Sequence, residues 1–209
     1  MTGSGPEPDE DATLEDLMAG FRRTSGGATA RFGAAQAAII RDLVGQVVEL
    51  IGGDALEDGP PDAGALDDGL AGPDDLAAMI GLTEDAELPS DPVLARLLPD
   101  AYRDDPEASG EFRRYTEQGL RSGKAAAART VLATLPPKGG RVRLSRPEAQ
   151  AWLRALNDVR LALGTRLEVA DDFDQQAARM SPDDPRAAYV GVYQWLAFLQ
   201  ETLVLALSR

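Results

Sequence analysis

The chain of 209 residues contains no cysteine and no histidine. Without cysteine it has no disulfide, no thiolate nucleophile, no thiol redox sensor and no cysteine-ligated metal site. Without histidine it lacks the commonest general base and the commonest ligand of transition metals. Because only carboxylate or lysine chemistry would remain for catalysis, we expect a protein that is not an enzyme and that holds no cofactor or metal ion.

The sequence also lacks the features of a targeting signal or a membrane span. The N-terminus has neither a basic region nor an apolar run. No stretch approaches the roughly 20 consecutive apolar residues that a membrane-spanning helix needs. We therefore expect a cytoplasmic protein that does not contact membranes.

Charge is present in abundance and is sorted along the chain, whose formal net charge is −14. Residues 1–91 contain 20 acidic residues and four arginines, whereas residues 113–166 contain 12 basic and three acidic residues. Overall acidity opposes nonspecific binding to nucleic acid, but a local basic surface is able to bind phosphate or an acidic protein. The candidate residues for such a contact are Arg113, Arg114, Arg121, Lys124, Lys138, Arg141, Arg143 and Arg146.

Two interpretations of these basic residues remain open. Glu117 lies four residues from both Arg113 and Arg121, which is the spacing of ordinary ion pairs on a solvated helix face. Residues 136–146 contain no acidic residue and place glycines before a helix start, an arrangement able to bind phosphate. This loop lacks P-loop spacing and has no aromatic residue for base stacking. The alternative is that this loop binds the acidic linker of the same chain.

Composition divides the chain into three kinds of segment. Residues 1–13 are acidic and rich in glycine and proline, which predicts a disordered tail. Residues 14–209 are predicted to form a single helical domain, interrupted by a flexible acidic linker at about residues 53–89. Near the start of the domain, residues 20–32 alternate around a Ser-Gly-Gly turn, which predicts a small β-hairpin.

Capping signals predict most of the helix starts. Aspartate precedes proline at Asp91, Asp105 and Asp184, and Ser145 with Glu148 forms a capping box. The predicted fold class is mainly α, with four to five helices and the N-terminal hairpin. The helices are expected at residues 34–51, 92–98, 106–135, 146–169 and 185–207. Residues 142–145 are either a strand or a lead-in to the helix that follows.

The two C-terminal helices carry the strongest apolar patterns. In the first, one stripe is expected to be buried, and Arg160 beside it is expected to need a partner, for which Asp100 and Glu111 are candidates. The last helix is apolar around much of its circumference, so it is either central to the core or shared with a second chain in a homodimer. The expected stripes are Trp152, Leu156, Val159, Leu163 and Leu167 in the first helix and Tyr189, Val192, Leu196, Leu199, Leu203 and Leu207 in the last.

Three long strings carry a family resemblance. They are residues 97–132 (LLPDAYRDDPEASGEFRRYTEQGLRSGKAAAARTVL), residues 152–169 (WLRALNDVRLALGTRLEV) and residues 192–207 (VYQWLAFLQETLVLAL). Together with the FRRTSGG segment, they resemble the actinobacterial AosR family of oxidative-stress transcriptional regulators, formerly a domain of unknown function.

The resemblance implies a cytoplasmic transcriptional regulator that acts with RNA polymerase or an alternative sigma factor and influences a sulfur and cysteine biosynthesis locus. Redox sensing in that family uses cysteine, so a thiol switch does not carry over to this chain. Direct binding to promoter DNA is part of the same expectation. The alternative is a protein–protein adaptor or scaffold that does not contact nucleic acid.

Overall fold

The computed structural model describes residues 20–52, 91–99, 106–170, 173–181, 184 and 186–208, and only the backbone of residues 106–115, 174 and 176. The predicted tail at 1–13 and linker at 53–89 lie outside this part of the chain. The described residues form six helices and one three-stranded sheet, which confirms the mainly α fold class. The elements are β1 (Arg22–Thr24), β2 (Gly27–Phe32), α1 (Ala34–Leu50), α2 (Pro92–Leu97), α3 (Pro106–Thr134), β3 (Gly140–Ser145), α4 (Arg146–Arg166), α5 (Phe173–Arg179) and α6 (Ala187–Leu207).

The predicted hairpin is confirmed and is extended by a third strand from the middle of the chain. Strands β1, β2 and β3 are antiparallel, in that order. The run before Ser145 is therefore a strand rather than a helix lead-in. A Cβ atom on Gly27 would lie 2.1 Å from the carbonyl oxygen of Leu144, so the close approach of β2 to β3 requires glycine there.

The predicted caps are confirmed at two helices. The Asp91 carboxylate accepts a hydrogen bond from the Val93 N–H (2.7 Å), with Pro92 at the first helical position. The Ser145 N–H donates to Glu148 Oε2 (2.8 Å), which closes the predicted capping box. Asp105 lies outside the described residues, but α3 begins at Pro106 as predicted.

The start and end of the two C-terminal helices differ from the predictions. The Asp184 carboxylate accepts from the Arg186 N–H (2.8 Å), and helix α6 begins only at Ala187. Helix α4 ends at Arg166 rather than near Val169, because Glu168 adopts a left-handed φ of 53° and the Val169 N–H bonds back to the Gly164 carbonyl. Helix α5, which follows, was not predicted.

Helix α4 is the centre of the fold, since it packs against α1, α2, α3, α6 and strands β2 and β3. Its Trp152 is fully buried and stacks on Phe32 of β2, with ring centroids 5.8 Å apart. Phe21 makes edge contacts with both rings. The indole N–H of Trp152 donates to Thr134 Oγ1 at the end of α3 (2.8 Å). The predicted α4 stripe is thus confirmed, with only Leu167 partly exposed.

Helix α6 supplies the last side of the core. Leu196, Leu199 and Leu203 are buried as predicted, but Tyr189, expected on the same face, is 59% exposed. Among the described helices α6 is the one with the length and hydropathy of a membrane span, contrary to the expectation that no segment has them. Helix α6 packs against α4, β1 and β2, but only 28% of the apolar segment is buried by the described residues.

We predict that Trp152→Ala strongly destabilises the protein. The substitution removes the largest fully buried side chain and leaves the Thr134 hydroxyl without its donor. The expected loss in free energy of unfolding is about 3–5 kcal/mol, measured by urea denaturation. Leu120→Ala, at a residue that is 45% exposed, is the control and should change stability by less than about 0.5 kcal/mol. Equal losses for the two variants would contradict the central role of Trp152.

Candidate functional site

The structure divides the predicted basic residues between helix α3 and the sheet region. Arg113, Arg114, Arg121 and Lys124 lie on α3, whereas Lys138, Arg141, Arg143 and Arg146 lie at or near β3. Arg121 and Lys124 are 10 to 13 residues before the end of α3, which places them about 15–20 Å from that end along the helix axis. The side chains of Arg113 and Arg114 lie outside the described residues.

Arg121 is engaged within the fold. Its guanidinium binds Glu117 Oε1 (2.6 Å), as the four-residue spacing predicted, and its Nη1 donates to the carbonyl oxygen of Ile51 (2.7 Å). That carbonyl follows the end of α1. In return, Nη1 of Arg41 on α1 donates to the carbonyl of Leu132 (2.9 Å) near the end of α3. Each helix thus supplies a cation to the negative end of the other.

Lys124 is also engaged, in an ion pair between α3 and α4. Its Nζ lies 2.6 Å from Asp158 Oδ1, and the side chain of Asp158 is only 6% exposed. Burial raises the pKa of the Asp158 carboxyl above its ordinary value, and the hydrogen bond and charge of Lys124 offset part of that rise. The pair lies beside a groove of about 660 Å³ between α3 and α4. Lys124 is therefore a structural residue rather than a free contact.

The outer face of the sheet gathers the remaining arginines. Because strand side chains alternate, Val142 and Leu144 point into the core while Arg141 and Arg143 point outward. In the pairing of β2 with β3, Arg31 lies opposite Arg141 and Thr29 lies opposite Arg143. Thr29 is also paired with Arg22 of β1. These four arginines line one shallow groove of about 200 Å³. We call them the basic sheet face.

The three strands supply no negative charge to the basic sheet face. None of the three strands contains an acidic residue. Among the described residues, no carboxylate forms an ion pair with Arg141 or Arg143. Arg141 and Arg143 are therefore the positions of this face at which an anion from outside would meet a charge without an ion pair. The arrangement is suited to binding an anionic surface.

Arg22 and Arg31 were not among the predicted contact residues. They belong to the N-terminal region that is acidic overall, so the net charge of that segment gave no indication of a basic surface. The alternation of β2, with Ala28, Ala30 and Phe32 inward, was the signal that places Arg31 outward. Their meeting with Arg141 and Arg143 depends on the pairing of β2 with β3, which joins residues more than 100 positions apart.

Two predicted residues lie at the margins of this surface. Lys138 is exposed in the turn between α3 and β3. Arg146, the first residue of α4, is exposed and its Nη2 lies 3.4 Å from the carbonyl oxygen of Leu207 at the end of α6. The turn itself requires Gly139, which has a φ of 76° and where a Cβ atom would lie 2.6 Å from backbone atoms of residues 32 and 33.

Comparisons with known proteins agree with the resemblance in the sequence. The family profile DUF2017, described as a domain of unknown function, matches residues 18–207. The oxidative stress regulator AosR of Mycobacterium tuberculosis H37Rv is 37% identical over 186 residues, which cover 82% of this chain and 78% of that protein. The putative oxidative stress regulator AosR of Mycobacterium leprae is 40% identical over 149 residues, covering 64% and 67% of the two chains. No solved structure matches the chain.

We predict that Lys124→Met destabilises the protein in a pH-dependent way. At pH 7 the substitution leaves the buried Asp158 carboxylate without its cation, at a cost of about 3 kcal/mol in free energy of unfolding. Burial raises the pKa of Asp158, and the substitution removes the hydrogen bond and charge of Lys124 that lower it, so the folded variant takes up a proton at a higher pH than the native protein does and the deficit should shrink as the pH falls. Urea denaturation between pH 7 and pH 5 measures this.

The control for this prediction is Lys138→Met, which removes the only other lysine from an exposed turn. It should leave stability almost unchanged at every pH. A deficit for Lys124→Met that does not depend on pH would show that Asp158 is not the group left unpaired.

Proposed function

The chain belongs to the DUF2017 family, and from that membership we propose that it is a non-enzymatic, cytoplasmic regulator of the oxidative-stress response that binds an acidic surface of a sigma factor or RNA polymerase. The regulatory role is supported by its relatives, which are named oxidative stress regulators. The binding mode is supported by the basic sheet face. Arg141 and Arg143 stand outward from a rigid strand whose alternate residues are anchored in the core.

A protein partner is favoured over DNA by the charge of the whole molecule. The net charge of −14 is repelled more strongly by the dense negative charge of a phosphate backbone than by a single acidic patch on a protein. The basic sheet face also has no aromatic side chain on which a base would stack, since Phe32 of β2 is buried. Direct binding to promoter DNA is therefore the competing outcome of the test below.

We predict that Arg141→Glu/Arg143→Glu weakens binding to the host RNA polymerase holoenzyme carrying a stress sigma factor by about tenfold or more, because two attractive contacts become repulsive. Biolayer interferometry at low and moderate ionic strength measures the affinity, which should fall with salt for the native protein. A promoter duplex is tested in parallel. Tighter binding to the duplex than to the holoenzyme would show that the partner is DNA and would contradict the proposed protein contact.

The matched control is Arg154→Glu/Arg166→Glu, which makes the same change in net charge at two exposed positions of α4 away from the sheet. It should keep most of the native affinity. If the two double variants weaken binding equally, net charge rather than the basic sheet face is responsible, and the proposed contact is wrong.

A second candidate function, an adaptor without contact to nucleic acid, is favoured by the outer face of α6. Phe198 and Leu205 are exposed by 39% and 63%, on the side of the helix opposite its buried leucines, and Val204 at the flank of that side is 49% exposed. An apolar helix face of this kind suits a symmetric contact with a second copy of the chain. The proposed adaptor is a homodimer joined through α6.

We predict that Leu205→Glu converts this homodimer into a monomer, because a charge at the centre of an apolar contact is left without a partner. Sedimentation velocity measures the mass of the native protein and of the variant. Glu201→Gln, which changes an exposed neighbour without adding charge, should keep the native mass. A native protein that sediments as a monomer at all concentrations would contradict the proposed dimer.

A further inference from the structure

An open cavity of about 400 Å³ lies where the end of α4 meets α5 and α6, and its volume is near the lower end of the range typical of small-molecule sites. It is distinct from the basic sheet face, because none of the residues that line it belongs to the sheet. Arg160 supplies a positive charge to its lining and Glu201 a negative charge. Phe173, Tyr193 and Phe198 supply aromatic surface.

Arg160 is the unusual member of this cavity. The sequence suggested Asp100 or Glu111 as its partner, but its contacts are neutral: Nη1 donates to Gln200 Oε1 (2.5 Å), and Nη2 lies 3.4 Å from the Tyr193 hydroxyl. Its guanidinium carbon lies 5.1 Å from the centroid of the Tyr193 ring. Among the described residues, no carboxylate forms an ion pair with Arg160.

The guanidinium is also incompletely hydrogen-bonded. Its Nε is buried and has no acceptor among the described residues. A partly buried cation without a counter-ion and with an unused donor is unfavourable, and proteins normally place a carboxylate beside it. The 3.4 Å contact to the Tyr193 hydroxyl is long for a hydrogen bond, so a stronger acceptor would readily displace it.

The other side chains of the cavity indicate which further groups a ligand that carries such an acceptor would have. Phe173 is buried and packs edge-on against Tyr193, with centroids 5.3 Å apart, which makes a rigid apolar wall. Phe198, five residues after Tyr193 on α6, remains partly exposed. Glu201 lies a further three residues on, on the same side of α6, and is exposed. The cavity thus combines a cation, an aromatic wall and a carboxylate.

We propose that this cavity binds a free α-amino acid with an apolar side chain. Its carboxylate provides the counter-ion of Arg160, its ammonium group is attracted to Glu201, and its side chain packs against Phe173 and Phe198. Each charged group of the ligand therefore meets an opposite charge that the described residues leave without an ion pair. This inference does not depend on the proposed contact with a transcription protein.

The experiment is isothermal titration calorimetry of the full chain with L-phenylalanine and L-leucine at concentrations up to the millimolar range. Two analogues separate the charged contacts: 3-phenylpropanoate lacks the ammonium group, and phenethylamine lacks the carboxylate. We expect saturable binding of at least one of the amino acids. Both analogues should bind about tenfold or more weakly than L-phenylalanine, since each lacks one charge-assisted contact.

Variants assign the binding to the cavity. Arg160→Met should abolish binding of the amino acids, and thermal unfolding shows whether the variant is folded. Glu201→Gln changes only an exposed side chain, so we expect it to fold, and it tests the proposal even if Arg160→Met does not fold. It should lower the affinity for L-phenylalanine to about that for 3-phenylpropanoate. Arg154→Gln, exposed on the same helix but outside the cavity, is the control and should bind as the native protein does.

Two results would overturn the proposal. The first is the absence of binding by either amino acid, which would make Arg160 a purely structural residue held by Gln200 and Tyr193. The second is binding that Glu201→Gln and Arg154→Gln affect equally, which would place the ligand elsewhere on the protein.

Discussion

Burial of Trp152 is the constraint on which the rest of the structure depends. The indole stacks on Phe32, meets Phe21 at its edge and hydrogen-bonds Thr134, so one side chain joins α4 to the hairpin and to the end of α3. Helix α6 is tied to the same cluster, because Thr202 Oγ1 accepts a hydrogen bond from the Phe21 N–H (3.1 Å). The sheet that carries the outward arginines is thereby held at a fixed position on the helical core.

Positive charge occurs in two separate environments in this protein. Arg41 and Arg121 cap the ends of neighbouring helices, and Lys124 neutralises a buried carboxylate, so these cations stabilise the packing of α1, α3 and α4. Arg141 and Arg143 are anchored through their strand but form no ion pair with the described residues. A surface charge without an internal partner contributes little to stability and remains able to attract an acidic molecule.

The proposed regulator contains no cysteine, so oxidation of its own thiols is not the signal to which it responds. The proposed amino-acid cavity offers another route, because binding of a ligand there requires no thiol. The two proposed sites are separate surfaces, and each stands on its own contacts.

The sequence by itself determined the local structure: the hairpin at 20–32, the caps at Asp91 and Ser145, and the buried stripe around Trp152 all follow from turn chemistry and periodicity. It also excluded cysteine and histidine chemistry outright. Only the tertiary structure decided which cations are engaged and what Arg160 contacts. Pairing of β2 with β3 brought Arg31 beside Arg141, and packing of α4 against α6 gave Arg160 its neutral partners. Such contacts join residues far apart in the chain, and spacing along a sequence reports only neighbours on one element.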